Sequence, residues 1–125
     1  MVHRIRLNAA WHRGETLGTS LAGRISLPDE SPLPADEVWY WRTFNAPTGI
    51  DRDTRLEVVF DRWQGLMDVY LDGGSLAKEV AYLGDACLLN VTARITQSHQ
   101  LAIRLTAGPS GQPPCLNGGV RLQIG

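Results

Sequence analysis

The sequence predicts one all-β domain spanning residues 1–125, an antiparallel β-sandwich, and three observations carry that prediction. Leu56, Val58 and Phe60 share one face of a short segment, and Met67, Val69 and Leu71 share one face of the next, the period-two spacing of strands. The same alternation returns in Leu101, Ile103 and Leu105 and in Val120, Leu122 and Ile124. Turn residues separate these segments every 8 to 12 positions or so, and no segment carries a helical period of useful length.

Taken in order, His3 to Trp11 alternates, with Ile5, Leu7 and Ala9 opposite Arg4, Arg6 and Asn8, and predicts an opening strand that Trp11 ends. Gly14 to Gly23 is small and polar without a period, and Arg24 to Leu27 offers a short strand through Ile25 and Leu27. The acidic stretch Pro28 to Glu37 holds three prolines, which donate no backbone bonds, and reads as an extended surface connection. Val38 to Phe44 is a strand apolar on both faces, as expected where both faces are covered. Trp39 and Trp41 are expected to lie buried beneath the Pro28 to Glu37 connection.

Pro47-Thr48-Gly49 and Asp51 to Asp53 predict a turn before the central pair of strands. That pair reads as a hairpin around the polar turn Asp61-Arg62-Trp63-Gln64-Gly65, with Glu57 and Asp68 on its wet face. Asp72-Gly73-Gly74 breaks the second strand with residues that tolerate positive φ. Ser75 to Val80 reads as a strand end and Tyr82-Leu83-Gly84-Asp85 as a loop. Cys87 to Val91 is strand-like again, and Thr92 to Thr96 reads as one helical turn. The strand around Leu101 to Leu105, a Gly/Pro/Ser loop at Gly108 to Pro114 and the closing strand after Gly118-Gly119 complete about eight strands.

A chain of this length buries roughly two-thirds of the surface its unfolded form exposes, enough for one core. Hydrophobic residues are 43% and charged residues 20%, which argues against both wholesale disorder and a membrane protein. Net charge is −1 and the basic residues, eleven Arg and Lys78, are scattered singly along the chain, so no nucleic-acid footprint is expected. The N-terminus lacks the apolar stretch of a secretory signal, and a cytoplasmic location is the simplest expectation. In that setting Cys87 and Cys115 are expected as reduced thiols, and the glycosylation acceptor Asn90-Val91-Thr92 signifies only a polar strand end.

An ordered series of motifs resembles a known family. It runs through Trp39-Tyr40-Trp41-Arg42-Thr43-Phe44 with Pro47, Arg55-Leu56 to Phe60, and Asp68-Val69-Tyr70-Leu71-Asp72-Gly73. It continues through Asn90-Val91-Thr92 and Gln100 to Leu105 to Gly118-Gly119-Val120-Arg121-Leu122. Over about 85 residues this is similar to the sugar-binding jelly-roll domain at the N-terminus of glycoside hydrolase family 2 enzymes, the β-galactosidase and β-glucuronidase group. The resemblance implies a galactose-binding-like sandwich, a fold that also serves as a carbohydrate-binding module in many bacterial proteins and as an interaction domain in others. In some members the turn between the central strands reaches the sugar site of a neighbouring catalytic barrel. Gln64 stands where an asparagine is familiar there, Asp72-Gly73 where Asn-Gly is usual, and Leu83-Gly84 near a usual Gly-Tyr pair. The catalytic carboxylates of such enzymes lie in the barrel, and 125 residues do not contain one.

The residues themselves offer little chemistry. Glu57 and Asp68 are the nearest approach to the carboxylate pair a glycosidase needs, but acids on a wet strand face are ordinary solubilising positions. His3, His12 and His99 have no metal-ligand spacing, and no cofactor is expected. Asp51-Arg52-Asp53 could offer oxygens to calcium, although an Asp-rich turn is more often only a turn. No Gly-x-Ser-x-Gly elbow occurs. Binding remains. Sugars stack on flat rings and give their hydroxyls to amides and carboxylates, and Trp11, Trp39, Trp41, Trp63 and Tyr82 are the rings on offer. The expected ligand site is Trp63 with Gln64, Arg62, Asp61 and Tyr82. Trp63 either stands exposed on its turn or, the more ordinary alternative, packs over the open end of the sandwich. Two functions follow: a non-catalytic carbohydrate-binding module, or a sandwich that binds another protein or a second copy of itself with no sugar.

Overall fold

The structure is a computed structural model and describes residues 3–20, 23–47, 53–92 and 98–125. Among the described residues ten strands form the sandwich: β1 (His3–Arg6), β2 (His12–Gly14), β3 (Glu37–Asn45), β4 (Leu56–Phe60), β5 (Leu66–Leu71), β6 (Gly74–Ser75), β7 (Val80–Leu83), β8 (Ala86–Asn90), β9 (Ser98–Thr106) and β10 (Val120–Ile124). One antiparallel sheet has the order β1-β10-β4-β8-β7 and the other β2-β3-β9-β5-β6. The predicted antiparallel jelly roll is therefore the fold, and a 3₁₀ turn at Ala77–Glu79 interrupts the strands.

Alternation assigns the core. In the first sheet Ile5, Leu122, Val58, Leu89 and Val80 stand side by side across five strands, and Val120, Phe60 and Cys87 form the adjacent row. In the second, Tyr40, Ile103 and Val69 form one row and Val38, Leu105 and Met67 the next. Leu56, Val58, Phe60, Val69, Leu71, Leu101, Ile103 and Leu105 are buried as expected, and Met67 packs half-buried against them. Each such side chain contributes about 1.5–3 kcal/mol on burial. The opening segment fits less well: its strand ends at Arg6, Ile5 is partly exposed at the sheet edge, and Ala9 is exposed. Trp11 is fully buried, its Nε1 donates to Leu7 O at 2.5 Å, and its backbone bridges to Ile25, all that forms of the strand expected at Arg24 to Leu27.

The central pair is not a hairpin. β4 lies in the first sheet between β10 and β8, whereas β5 lies in the second between β9 and β6, so residues 61–65 cross from sheet to sheet. Gly65 makes the crossing possible. At φ +106° its Cα lies so close to the next strand that an added Cβ would sit 2.5 Å from Thr106 O. Two tighter turns are true hairpins. Asp72-Gly73, with φ of 50° and 84°, joins β5 to β6 as a type I′ pair, and Asp72 caps it by accepting Gln100 N–H at 2.8 Å. Tyr82 and Leu83, expected in a loop, instead belong to β7, and Gly84-Asp85 alone turns the chain into β8. Asn90 and Thr92 close the end of β8, where the Thr92 hydroxyl donates to Asn90 Oδ1 and accepts Leu56 N–H. The turn expected at Pro47 to Asp53 and the helical turn at Thr92 to Thr96 fall mostly outside the described residues.

The Pro-rich connection is anchored by a buried charge. Asp29 is buried, accepts both the Arg13 Nη1 bonds (2.9 and 2.8 Å) and the Tyr40 hydroxyl at 2.5 Å, and Arg13 Nη1 also donates to Ser31 O. The stretch lies on the surface as expected, with Asp29 its one buried residue, and the N–H groups of Leu27 and Asp29 donate to Asn8 O and Leu116 O and hold it against the body. It meets β3 at Tyr40, on the core face. Trp39 and Trp41 point the other way, to the outer face of the second sheet. Trp41 is buried there against His12, with ring centroids 5.5 Å apart, and Trp39 is half-buried beside Tyr70.

Candidate functional site

Trp63 and Tyr82 come together although they lie nineteen positions apart in the sequence. Trp63 rides on the sheet-crossing link and packs partly against the core. Tyr82 occupies the core-facing row with Cys87 and Phe60, but on the edge strand β7 that row runs past the end of the core, and the ring is 69% exposed. The centroids are 6.3 Å apart with the planes tilted by 37°. With Arg62, Gly84 and Asp85 the two rings line an open cleft of about 480 Å³. Gly118 lets Arg62 in: a Cβ there would lie 2.8 Å from the Arg62 backbone nitrogen.

The other two expected site residues are engaged elsewhere. Gln64 Nε2 donates to Pro113 O at 2.6 Å, and its backbone exchanges two hydrogen bonds with Cys115, which ties the link to the loop before β10. Asp61 pairs with Arg121 and lines a different cleft with Arg4, Arg6, Asn8 and Gly119. Asp61 therefore turns to one side of the link, and the adjacent Arg62 and Trp63 both turn to the other. Asp85 is a member of the ring cleft that the sequence reading missed. A polar residue after a turn glycine carries no signal of its own, and only the β7–β8 pairing brings it to Trp63.

The remaining candidates disperse. Trp11 belongs to the core, and the rings of Trp39 and Trp41 already face Tyr70 and His12. Glu57 and Asp68 project from opposite outer faces of the sandwich with the core between them, Glu57 beside Arg55 and Asp68 toward Arg104. Among the described residues no group of three His, Cys, Asp or Glu side chains gathers as a metal site. His12 stacks on Trp41, and His99 is buried with Nδ1 2.5 Å from Asp72 Oδ2. Asp53 is described and has a partner, while Asp51 and Arg52 lie outside the described residues. Cys87 and Cys115 are both free and buried, and burial pushes the Cys87 thiol up to about 11, far from a reactive thiolate.

Fold and cleft together define an antiparallel jelly-roll β-sandwich with an aromatic cleft at one end of the sheets. Solved structures with this fold include a β-glucuronidase from Bacteroides uniformis (TM-score 0.73, 19% identity, 99% of this chain and 18% of that one). A β-glycosidase from Bacteroides vulgatus superposes with a TM-score of 0.75 at 15% identity, over 98% of this chain and 20% of that one. A β-glucuronidase from glycoside hydrolase family 2 gives 0.70 at 15% identity, over 98% and 18%. The chain thus spans about one fifth of the length of these enzymes and corresponds to an N-terminal domain of them. No protein-family model matches the sequence, and a search of curated proteins finds no match.

Proposed function

We propose that this domain is a non-catalytic carbohydrate-binding module whose ligand site is the cleft between Trp63 and Tyr82. The observation that carries the reading is the pairing itself: two tilted rings, one largely exposed, flank an open cleft edged by Arg62 and Asp85. Rings present flat apolar faces to the C–H face of a pyranose, and a guanidinium and a carboxylate beside them serve its hydroxyls as donor and acceptor. Wild-type binding on a glycan array tests the proposal. Tyr82→Ala should then remove about 1–3 kcal/mol of affinity, by analogy with a buried large side chain. Because the ring is exposed, the same change should move stability by no more than about 0.5 kcal/mol. Trp63→Ala should lose affinity too, with a larger fall in Tm because that ring also packs on the core. Absence of any glycan bound by the wild type would sink the reading.

One observation favours a second reading, a protein-interaction or self-association module. β7 is an open sheet edge carrying Tyr82 and Leu83, the latter 73% exposed, and an apolar edge strand is a template for pairing with another chain. Concentration-dependent sedimentation abolished by Leu83→Lys would support it.

Catalysis has no place in either reading. The chain is expected to turn over no chromogenic glycoside, since Glu57 and Asp68 cannot face one bond from opposite sides of a sandwich. Activity that survives purification and vanishes in Glu57→Gln or Asp68→Asn would contradict this.

A further inference from the structure

The arginines that look scattered along the sequence are gathered by strand register. β1 pairs with β10 so that Arg6 lies directly opposite Arg121 and Arg4 opposite Gln123. With Leu122 on the core row, alternation puts Arg4, Arg6 and Arg121 together on the outer face of the first sheet. Like charges directly opposite in an antiparallel pair repel, so this arrangement does not serve the sheet. Asp61 answers one of them, Arg121, through Nη1. The Arg4 side chain has a long bond, 3.4 Å, to Gln123, the Arg6 side chain has no hydrogen-bond partner among the described residues, and Arg121 Nε is buried and unpaired. Three cations against one carboxylate leave an excess of positive charge here, on a chain whose net charge is −1.

These groups surround a cleft of about 620 Å³ floored by Gly119 and Val120. The floor is kept open by the glycine. A Cβ at Gly119 would come within 3.0 Å of Asn8 Oδ1 and 3.5 Å of Asp61 Oδ2, pressing on both polar walls. Asn8 is fixed in place, since its Oδ1 accepts Val120 N–H at 2.9 Å, and that bond leaves its Nδ2 donors to the cleft. We infer that this cleft is an oxyanion site, in which Arg4 and Arg6, with the charge of Arg121 beside them, hold a carboxylate or phosphate group of a small hydroxylated ligand while Asp61 and Asn8 take its hydroxyls. The site is independent of the Trp63 and Tyr82 cleft, and either can stand without the other. Guanidinium groups suit planar and tetrahedral oxyanions alike because their fixed forks of N–H donors match both.

Amide NMR titrations with sodium phosphate and with sodium gluconate, each against sodium chloride at equal ionic strength, test the inference. Saturable shifts centred on Arg6, Asn8 and Val120 are expected with at least one of the two. Phosphate alone would assign a phosphorylated ligand, gluconate alone a sugar acid, and both the shared oxyanion chemistry. Arg6→Gln, an exposed substitution that leaves the fold intact, should weaken binding about tenfold, the factor that one charge-assisted hydrogen bond carries. Arg24→Gln, on a different surface, should leave it unchanged. Shifts with both anions no larger than those with chloride, or equal affinity in wild type and Arg6→Gln, would overturn it.

Discussion

Asp29→Ala is expected to lower the unfolding free energy by about 3–5 kcal/mol, the loss seen when one partner of a buried ion pair is removed. The magnitude comes from what stays behind. The side chains of Arg13 and Asp29 are 9% and 4% exposed, and Arg13 Nε already lacks a partner. Without the carboxylate the guanidinium would keep Ser31 O as its one protein acceptor, and the Tyr40 hydroxyl would lose its acceptor inside the core. Urea unfolding should show a lower midpoint at an unchanged slope. A double replacement, Arg13→Met with Asp29→Leu, should recover much of the loss, because it removes both charges together. A single-mutant loss below about 1 kcal/mol, the worth of an exposed pair, would show that water reaches the site. Tyr40 adds a pH dependence. Burial first, and then the bond to Asp29, push its hydroxyl well above the ordinary tyrosine range. This contribution is complete below about pH 10, the unfolded value, and is lost as pH rises toward the folded one.

Phe60→Ala should cost a similar 3–5 kcal/mol, here through lost burial and a cavity that collapses only in part. Phe60 is fully buried between Val120 and Cys87, at the last position of β4 before the chain crosses to the other sheet. The backbone on either side is held, by β10 at Val120 and by Asp61 N–H donating to Gly119 O. The walls therefore have little freedom to close the gap. A thermal melt should fall by more than about 10 °C, taking roughly 4 °C for each kcal/mol at this chain length. A fall of only a few degrees would mean that Trp63 or Leu116 moves in to fill the space.

The strands with one wet and one dry face were legible in the sequence because alternation reports burial directly: β4, β5, β9 and β10 stand where their apolar spacing put them. Alternation does not report which sheet a strand joins. β4 and β5 bury their faces in the same core from opposite sides, and a five-residue polar link reads identically as a hairpin loop or a crossing. Tyr82 and Leu83 were hidden for another reason, since on an edge strand both faces are partly wet and the period weakens. Asp29 was invisible because an acid among prolines looks solvated, and its partner Arg13 lies sixteen residues away. Of the expected site, Arg62, Trp63 and Tyr82 converge, whereas Gln64 and Asp61 are drawn off by Pro113 and Arg121. The latter two contacts depend on long-range register, which no local pattern encodes.

The pairing of β1 with β10, which sets His3 against Ile124, also governs when the fold can form. β4 has β10 as its neighbour on one flank, so while the chain is being synthesised its core row stays open on that side until β10 has emerged. At roughly 5–20 residues per second that is an interval of several seconds in which Leu56, Val58 and Phe60 are exposed to other chains. The second sheet is complete with β9, some fifteen residues earlier, and cannot seal the core alone. During synthesis the strands of the second sheet are thus all available before the strand that completes the first. Closing contacts of such long sequence separation places the domain among slow folders, on the millisecond-to-second scale.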